Sequence, residues 1–224
     1  MAQWDTILFD LDGTLIDTID DLAFATERVL TEWGFGHADG SPVHDRAAYR
    51  QFVGNGIRKL LERAFGGKLL DAETDEVFAR FIEVYDAHCA DNTAPYEGIL
   101  PLLDALKAHG YRLGVVTNKA EAQARRLAAK FFDSYNFCCV YGSIAERPNK
   151  PHPQVVQMAL ADCGAVAERT LFIGDSNVDV ETAHNAGLVC GGAVWGFRGE
   201  EELRRAGAEI LLQHPLDLLT VLGI

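Results

Sequence analysis

The stretch Ile7-Leu8-Phe9-Asp10-Leu11-Asp12-Gly13-Thr14-Leu15 constrains the fold of this chain more than any other. An apolar run that stops at two carboxylates, a glycine and a hydroxyl reads as a strand buried on both faces, as in a parallel sheet covered on each side. In open α/β sheets ligands gather beyond the carboxyl ends of such strands, which is where Asp10 and Asp12 stand. Residues two apart on an extended chain point to the same side, so both carboxylates can face one small volume. Two acids that close ionise unequally unless a cation holds both, an arrangement suited to a nucleophile beside a proton donor. Asp and Gly also favour turns, so an ordinary strand-to-loop turn is the competing reading of these residues alone.

Such a strand needs enough chain to cover it. With 224 residues, of which 48% are hydrophobic and 24% charged, the chain can bury one large domain or a domain with a small insert. No window approaches the roughly 18 apolar residues of a membrane span. The start, Met1-Ala2-Gln3-Trp4-Asp5, lacks a basic segment leading into an apolar one. The expectation is a cytoplasmic protein with no membrane partner. Cys89, Cys138, Cys139, Cys163 and Cys190 are odd in number and show no CxxC spacing, and they are read as buried small hydrophobes. A net charge of −13 argues against a nucleic-acid partner, since phosphate backbones are held chiefly by Lys and Arg. A small anionic ligand would need a few placed cations or a metal ion.

After Leu15 the pattern turns helical. Asp17, Thr18, Asp20 and Asp21 supply a cap and first-turn acids, and Leu22, Ala25, Val29 and Trp33 recur at helical spacing up to Gly34. A polar run from His37 to His44 follows, then Phe52, Ile57, Leu60, Leu61, Ala64 and Phe65 at helical spacing, then a third helix from Asp71 to about Asp91. No strand-like run occurs between Ile16 and Asn92. From Pro95 helices alternate with apolar runs at Leu113 to Val116, Phe137 to Tyr141, Leu171 to Ile173, Leu188 to Val194 and Ile210 to Leu212. The expected fold is α/β: a doubly wound parallel sheet, a Rossmann-like core, with an all-helical insert after the first strand. The expected domains are 1–15 with 93–224 for the core and 16–92 for the insert, read as a lid over the strand ends, because βα units normally close over a few tens of residues.

The other strand ends carry matching chemistry. Thr117-Asn118-Lys119 follows the strand at 113–116 and is read as opening a helix, with a hydroxyl and free N–H groups, which is either an anion site or an ordinary N-cap. Gly174-Asp175-Ser176-Asn177-Val178-Asp179 follows the strand at 171–173. Its carboxylates suit Mg²⁺, although Asp179 also fits a plain first-turn acid. Between them Lys150 lies among prolines in Arg147-Pro148-Asn149-Lys150-Pro151-His152-Pro153, a stiff segment that can hold a cation at the same edge. His152 is read as structural.

Asp10-Leu11-Asp12-Gly13-Thr14, Thr117-Asn118-Lys119, Lys150-Pro151 and Gly174 to Asp179 resemble, in order, the four motifs of the haloacid dehalogenase-like hydrolases, and the helical insert resembles that superfamily's small cap. Within it the chain looks most like the phosphoglycolate phosphatases, from Val53-Gly54-Asn55-Gly56, Lys150-Pro151-His152-Pro153, Trp195-Gly196-Phe197-Arg198 and Gly207-Ala208. The resemblance implies a Mg²⁺-dependent phosphatase of a small phosphorylated metabolite, 2-phosphoglycolate foremost. Asp10 would be the nucleophile, Asp12 the acid and base, and Asp10, the Asp12 carbonyl and Asp175 the Mg²⁺ ligands. Thr117, Asn118, Lys150 and Gly13 would hold the phosphoryl group, with Asp179 in support. A phosphosugar mutase, sugar phosphatase or pyrophosphatase of the same superfamily is the alternative, and a catalytically silent phosphometabolite-binding protein is the alternative of another class. Dehalogenases of the superfamily are disfavoured because they lack the second acid. In the insert, Gly54, Asn55, Gly56 and Arg58 form either an inter-helix turn or a loop that receives a substrate carboxylate.

Overall fold

The computed structural model describes residues 3–69 and 71–224. The chain folds as two compact units, Met1–Asp17 with Pro95–Ile224, and Thr18–Ala94. In chain order, β1 (Thr6–Phe9) and the two-residue strand β2 (Ile16–Asp17) precede the helices α1 (Ile19–Glu32), α2 (Arg46–Phe52), α3 (Ile57–Ala64) and α4 (Thr74–His88). The return runs through β3 (Ala94–Pro95), α5 (Ile99–Ala108), β4 (Arg112–Ala120), α6 (Glu121–Phe132), β5 (Cys139–Ser143) and α7 (Gln154–Cys163). It ends with β6 (Thr170–Gly174), α8 (Asn177–Asn185), β7 (Val189–Ala193), α9 (Gly199–Ala206), β8 (Ile210–Leu212) and α10 (Asp217–Leu222).

Six strands form one parallel sheet in the order β5-β4-β1-β6-β7-β8, with helices on both faces. β1 is buried along its whole length because it lies between two strands and under helices, which explains its lack of polar alternation. The chain adds β4 and β5 on one side of β1, then returns to lay β6 on the other. The order therefore reverses at β1, the place where doubly wound sheets open a crevice. In register, Phe9 pairs with Val115 on one side and Ile173 on the other. Extending that register by one or two residues brings Asp10, Thr117 and Asp175 to one edge of the sheet. Leu8, Val116, Val156, Phe172, Val180 and Leu188 pack in a buried cluster that fixes this edge.

The helical unit fills in three points of the sequence reading. The helical spacing over 52–65 belongs to two helices, since Gly54 (φ 114°) and Gly56 (φ 85°) adopt backbone angles open chiefly to glycine, and α3 starts at Ile57. Asp45, whose side chain accepts from Ala48 N–H, starts α2 further upstream. Asp21 lies in the first turn of α1 as expected and has a second role there. It is 1% exposed and accepts from Asn92 N–H and Nδ2 and from Thr93 N–H and Oγ, joining the start of the unit to its end.

The two-residue strands β2 and β3 carry too little apolar periodicity to be read from sequence. Cys138 is exposed, whereas Cys89, Cys139, Cys163 and Cys190 are buried. Among the described residues no helix is long and apolar enough to cross a membrane.

Candidate active site

The Asp10 N–H donates to Ile173 O at 2.8 Å, so sheet pairing runs one residue past β1 and fixes the residue that carries the first carboxylate. Lys150 Nζ lies 2.9 Å from Asp10 Oδ1 and 2.7 Å from Asp179 Oδ1, and all three side chains are buried. The buried Asp10 Oδ1 has the Lys150 ammonium as its ion-pair neighbour and no further hydrogen bond among the described residues. Asn118 fixes the lysine's backbone. Its Nδ2 donates to Lys150 O at 3.2 Å, and its Oδ1 accepts from Lys150 N–H at 2.8 Å. A side chain at the end of β4 thereby holds a loop residue that proline stiffness alone would leave unplaced.

Asp175 follows β6 directly and sits in space cleared by two glycines. A Cβ on Gly13 would lie 2.4 Å from Asp175 Oδ2, and one on Gly196 would lie 2.3 Å from Asp175 Cβ. Phe197 N–H donates to Asp175 Oδ2 at 2.7 Å. Asp179 is fully buried, and its Oδ2 accepts from Asp175 N–H, Ser176 N–H and Ser176 Oγ in a capping box at the start of α8. With Oδ1 taken by Lys150, Asp179 is a brace between the lysine and the turn that carries Asp175.

Burial pushes the Asp10 carboxyl up to about 6 against the pull of Lys150, and Asp179 and Asp12 add to the rise. Burial, then the charges of Asp179 and Asp10, hold Asp175 well above the usual carboxylate range. Burial opposes the charge on Lys150, but Asp10 and Asp179 outweigh it and raise its pKa. Asp10, Asp175 and Asp179 each offer an oxygen within 4.8 Å of the others. These three acids face one lysine, so the converging oxygens carry more negative charge than it balances and the donor set fits a hard divalent cation. Asp10 and Asp175 are the members with carboxylate oxygens to give, since both oxygens of Asp179 already accept from N–H, O–H or ammonium donors.

Thr117, Asn118 and Lys119 do not open a helix. β4 continues to Ala120, which pairs with Ser143 of β5, and α6 begins at Glu121. The pairing with β5 slips register between Val116 and Ala120, so Thr117, Asn118 and Lys119 lie in an irregular, bulged stretch of β4. Thr117 Oγ accepts from Lys119 N–H at 3.3 Å. Lys119 Nζ reaches both oxygens of Asp12 at 3.1 Å. Gly13 donates its N–H to Ile16 O at 2.9 Å, so its place in the site is the room it leaves for Asp175. Sequence reasoning singled out neither the Lys119–Asp12 pair nor Phe197 N–H. The first depends on a bulge in β4 that the sequence does not mark, and nothing local marks a backbone donor 22 residues beyond Asp175.

In the helical unit, Gly54, Asn55, Gly56 and Arg58 form the junction of α2 and α3. Asn55 Oδ1 accepts from Arg63 at 2.8 Å. Arg58 donates to Asp75 at 2.9 Å, and its guanidinium lies 4.4 Å from the centroid of the Phe78 ring, with both charged side chains exposed.

A family model described as haloacid dehalogenase-like hydrolase matches residues 7–193, a span that takes in every buried acid and lysine of this edge. The chain is 37% identical to a phosphoglycolate phosphatase of Caulobacter vibrioides, over 95% of this chain and 88% of that protein. It is 33% identical to an N-acetylmuramic acid 6-phosphate phosphatase of Pseudomonas aeruginosa, over 96% of this chain and 93% of that protein. A solved structure from Lactobacillus delbrueckii, assigned as a phosphoglycolate phosphatase, superposes with a TM-score of 0.90 at 26% identity, with both chains fully covered. Motif order, sheet topology and these matches agree, and the chain belongs to the haloacid dehalogenase-like hydrolases.

Proposed function

We propose that this protein is a Mg²⁺-dependent phosphatase acting on small phosphate monoesters that also carry a carboxylate, with 2-phosphoglycolate the first substrate to test. The observation that carries the reading is Asp10: a buried carboxylate at the switch point of the sheet, 2.9 Å from the ammonium of a lysine whose backbone Asn118 fixes. An Asp10 oxygen attacks phosphorus and the ester P–O bond breaks, leaving an aspartyl-phosphate on Asp10. Asp12 gives its proton to the departing oxygen, then takes one from the water that attacks the same phosphorus and returns Asp10 as a carboxylate. Lys150 balances charge on the transferring group, and Thr117 and Asn118 complete its seat. Asp10, Asp175 and the Asp12 carbonyl would hold Mg²⁺, which would supply further charge neutralisation for the phosphoryl group when bound.

The names of the relatives favour a carboxylate-bearing substrate without choosing between two. Phosphoglycolate and N-acetylmuramic acid 6-phosphate are both phosphomonoesters of carboxylic acids. The test is phosphate release from these two compounds, glucose 6-phosphate and 4-nitrophenyl phosphate, with Mg²⁺ and with excess chelator, for wild type and Asp10→Asn. Expected are turnover that needs Mg²⁺, higher kcat/KM for the two acids, and loss of about 10³-fold or more in the variant. Asp10→Asn activity within about tenfold of wild type would remove Asp10 from its role. Turnover of none of the four would favour the silent binding protein, and transfer of phosphate between sugar positions without release would favour the mutase.

A further inference from the structure

Each acid of the first motif has its own buried lysine, and the proposed reaction uses only one of the two lysines. Lys150 serves Asp10. Lys119 Nζ contacts both Asp12 oxygens at 3.1 Å, with the lysine side chain 1% exposed and that of Asp12 13%. Among the described residues Lys119 is the hydrogen-bond donor to the Asp12 carboxylate. The lysine is itself held. It lies in the bulged segment of β4 just before pairing resumes at Ala120, its N–H is given to Thr117 Oγ, and its carbonyl packs so closely on Gly142 that a Cβ there would lie 2.5 Å from it. A buried ammonium on a clamped strand fixes a carboxylate in a way that solvent-exposed pairs do not.

We propose that Lys119 is a positioning residue for Asp12: it orients the carboxyl so that one oxygen stays on Nζ while the other meets the departing ester oxygen. The proposal rests on the acid role of Asp12 stated above. The competing role is a second cation on the phosphate. These two roles predict different dependences on the leaving group. A phosphate-binding lysine serves every phosphate ester alike and also binds inorganic phosphate, whereas a residue acting through the acid matters in proportion to how much the leaving oxygen needs a proton.

The experiment compares Lys119→Met, Lys119→Arg, Asp12→Asn and the Lys119→Met/Asp12→Asn double variant on 2-phosphoglycolate and on 2,4-dinitrophenyl phosphate, whose leaving group departs without protonation. It also measures the inhibition constant of inorganic phosphate. Expected for Lys119→Met is a kcat loss of about 10²-fold on the alkyl phosphate and under about threefold on the aryl phosphate, with phosphate inhibition unchanged. The double variant should be no slower than Asp12→Asn alone. Lys119→Arg keeps the charge in a different geometry, so it should show the same leaving-group bias at reduced size even where the Met variant fails to fold. Equal losses on both esters, or weaker phosphate inhibition, would assign Lys119 to the phosphate and overturn the proposal. If Asp12→Asn itself loses equally on both esters, the acid role of Asp12 fails; if Asp12→Asn discriminates and the Lys119 variants do not, the positioning role alone fails.

Discussion

At the sheet edge, Asp10, Asp175, Asp179 and Lys150 are buried and are held by one another or by backbone N–H groups. Arg58 in the helical unit is an exposed side chain whose partner, Asp75, is exposed too. Charges in the first set are costly to move, because each would be left unpaired out of water. A surface pair such as Arg58–Asp75 contributes about 0–1 kcal/mol and can exchange partners at little cost. Phosphoryl transfer is mostly positioning and charge stabilisation, so the chemistry belongs where the geometry cannot relax. Recognition of the rest of a substrate can use groups that are freer to change partners.

The comparison breaks most directly at Lys150. Lys150→Met leaves Asp10 and Asp179 facing each other without a cation. It should lower kcat/KM by about 10² or more, and it should cost roughly 3–5 kcal/mol of stability by urea unfolding. A variant as stable as wild type would mean that the buried set is not a coupled unit. Lys150→Met/Asp179→Asn should recover part of the stability and none of the activity.

A smaller effect tests the same coupling through pH. In the metal-free fold the Asp10 carboxyl is raised to about 6 from 3.8, with burial the first cause, and Asp175 is raised as well. Between those values the folded protein keeps a proton that the unfolded chain has released, so these groups stabilise most below the unfolded pKa and lose that contribution as pH rises through about 6. In chelator, wild-type Tm relative to Asp10→Asn should therefore fall by a few degrees from about pH 4 to about pH 6.5. With Mg²⁺ the sign should reverse, since the ion binds the ionised carboxylates. A wild-type profile parallel to that of Asp10→Asn in chelator would show that Asp10 is not desolvated as described.

The sheet edge was readable in the sequence because a strand buried on both faces leaves few polar positions. Acids that close β1 and β6 must be there for the site or for a turn, and three strand ends agreeing made the site the better reading. What could not be read depended on distant neighbours. β4 resumes its pairing at Ala120 with Ser143 of β5 after a register shift over Thr117-Asn118-Lys119, so a stretch that looks locally like a helix start is a bulge in a strand. Asp21 is the first-turn acid the sequence suggests, but its hydrogen bonds to Asn92 and Thr93, 71 and 72 residues later, could not be read. Phe197 N–H and the amide of Asn118 act through the backbone, and the amide clamp on Lys150 depends on where β4 ends. The glycines at 54 and 56 were legible as a break in the helical pattern, but the pairing of Arg58 with Asp75 was not, since it spans 17 residues on an exposed face.

The smallest expected effect is the one that sharpens the comparison furthest. If the α2–α3 junction receives the carboxylate of a substrate, Arg58 must leave Asp75, and an exposed ion pair over an aromatic ring can do so at a cost of about 1 kcal/mol or less. Arg58→Met keeps an unbranched apolar side chain and removes the guanidinium that lies over Phe78 and pairs with Asp75. It should change stability by under about 1 kcal/mol. It should also lower kcat/KM for 2-phosphoglycolate about tenfold while leaving 4-nitrophenyl phosphate within about twofold. Gly56→Val, which forces a β-branched residue into the left-handed region at φ 85°, should show the same substrate bias with a larger loss of stability. Asp75→Asn provides the opposite arm: releasing Arg58 from its partner should preserve or improve turnover of the acid if the guanidinium is used for recognition. Equal losses on both esters in Arg58→Met, together with a loss in Asp75→Asn, would make the pair a brace of the α3–α4 packing, and the carboxylate would then have to be read elsewhere.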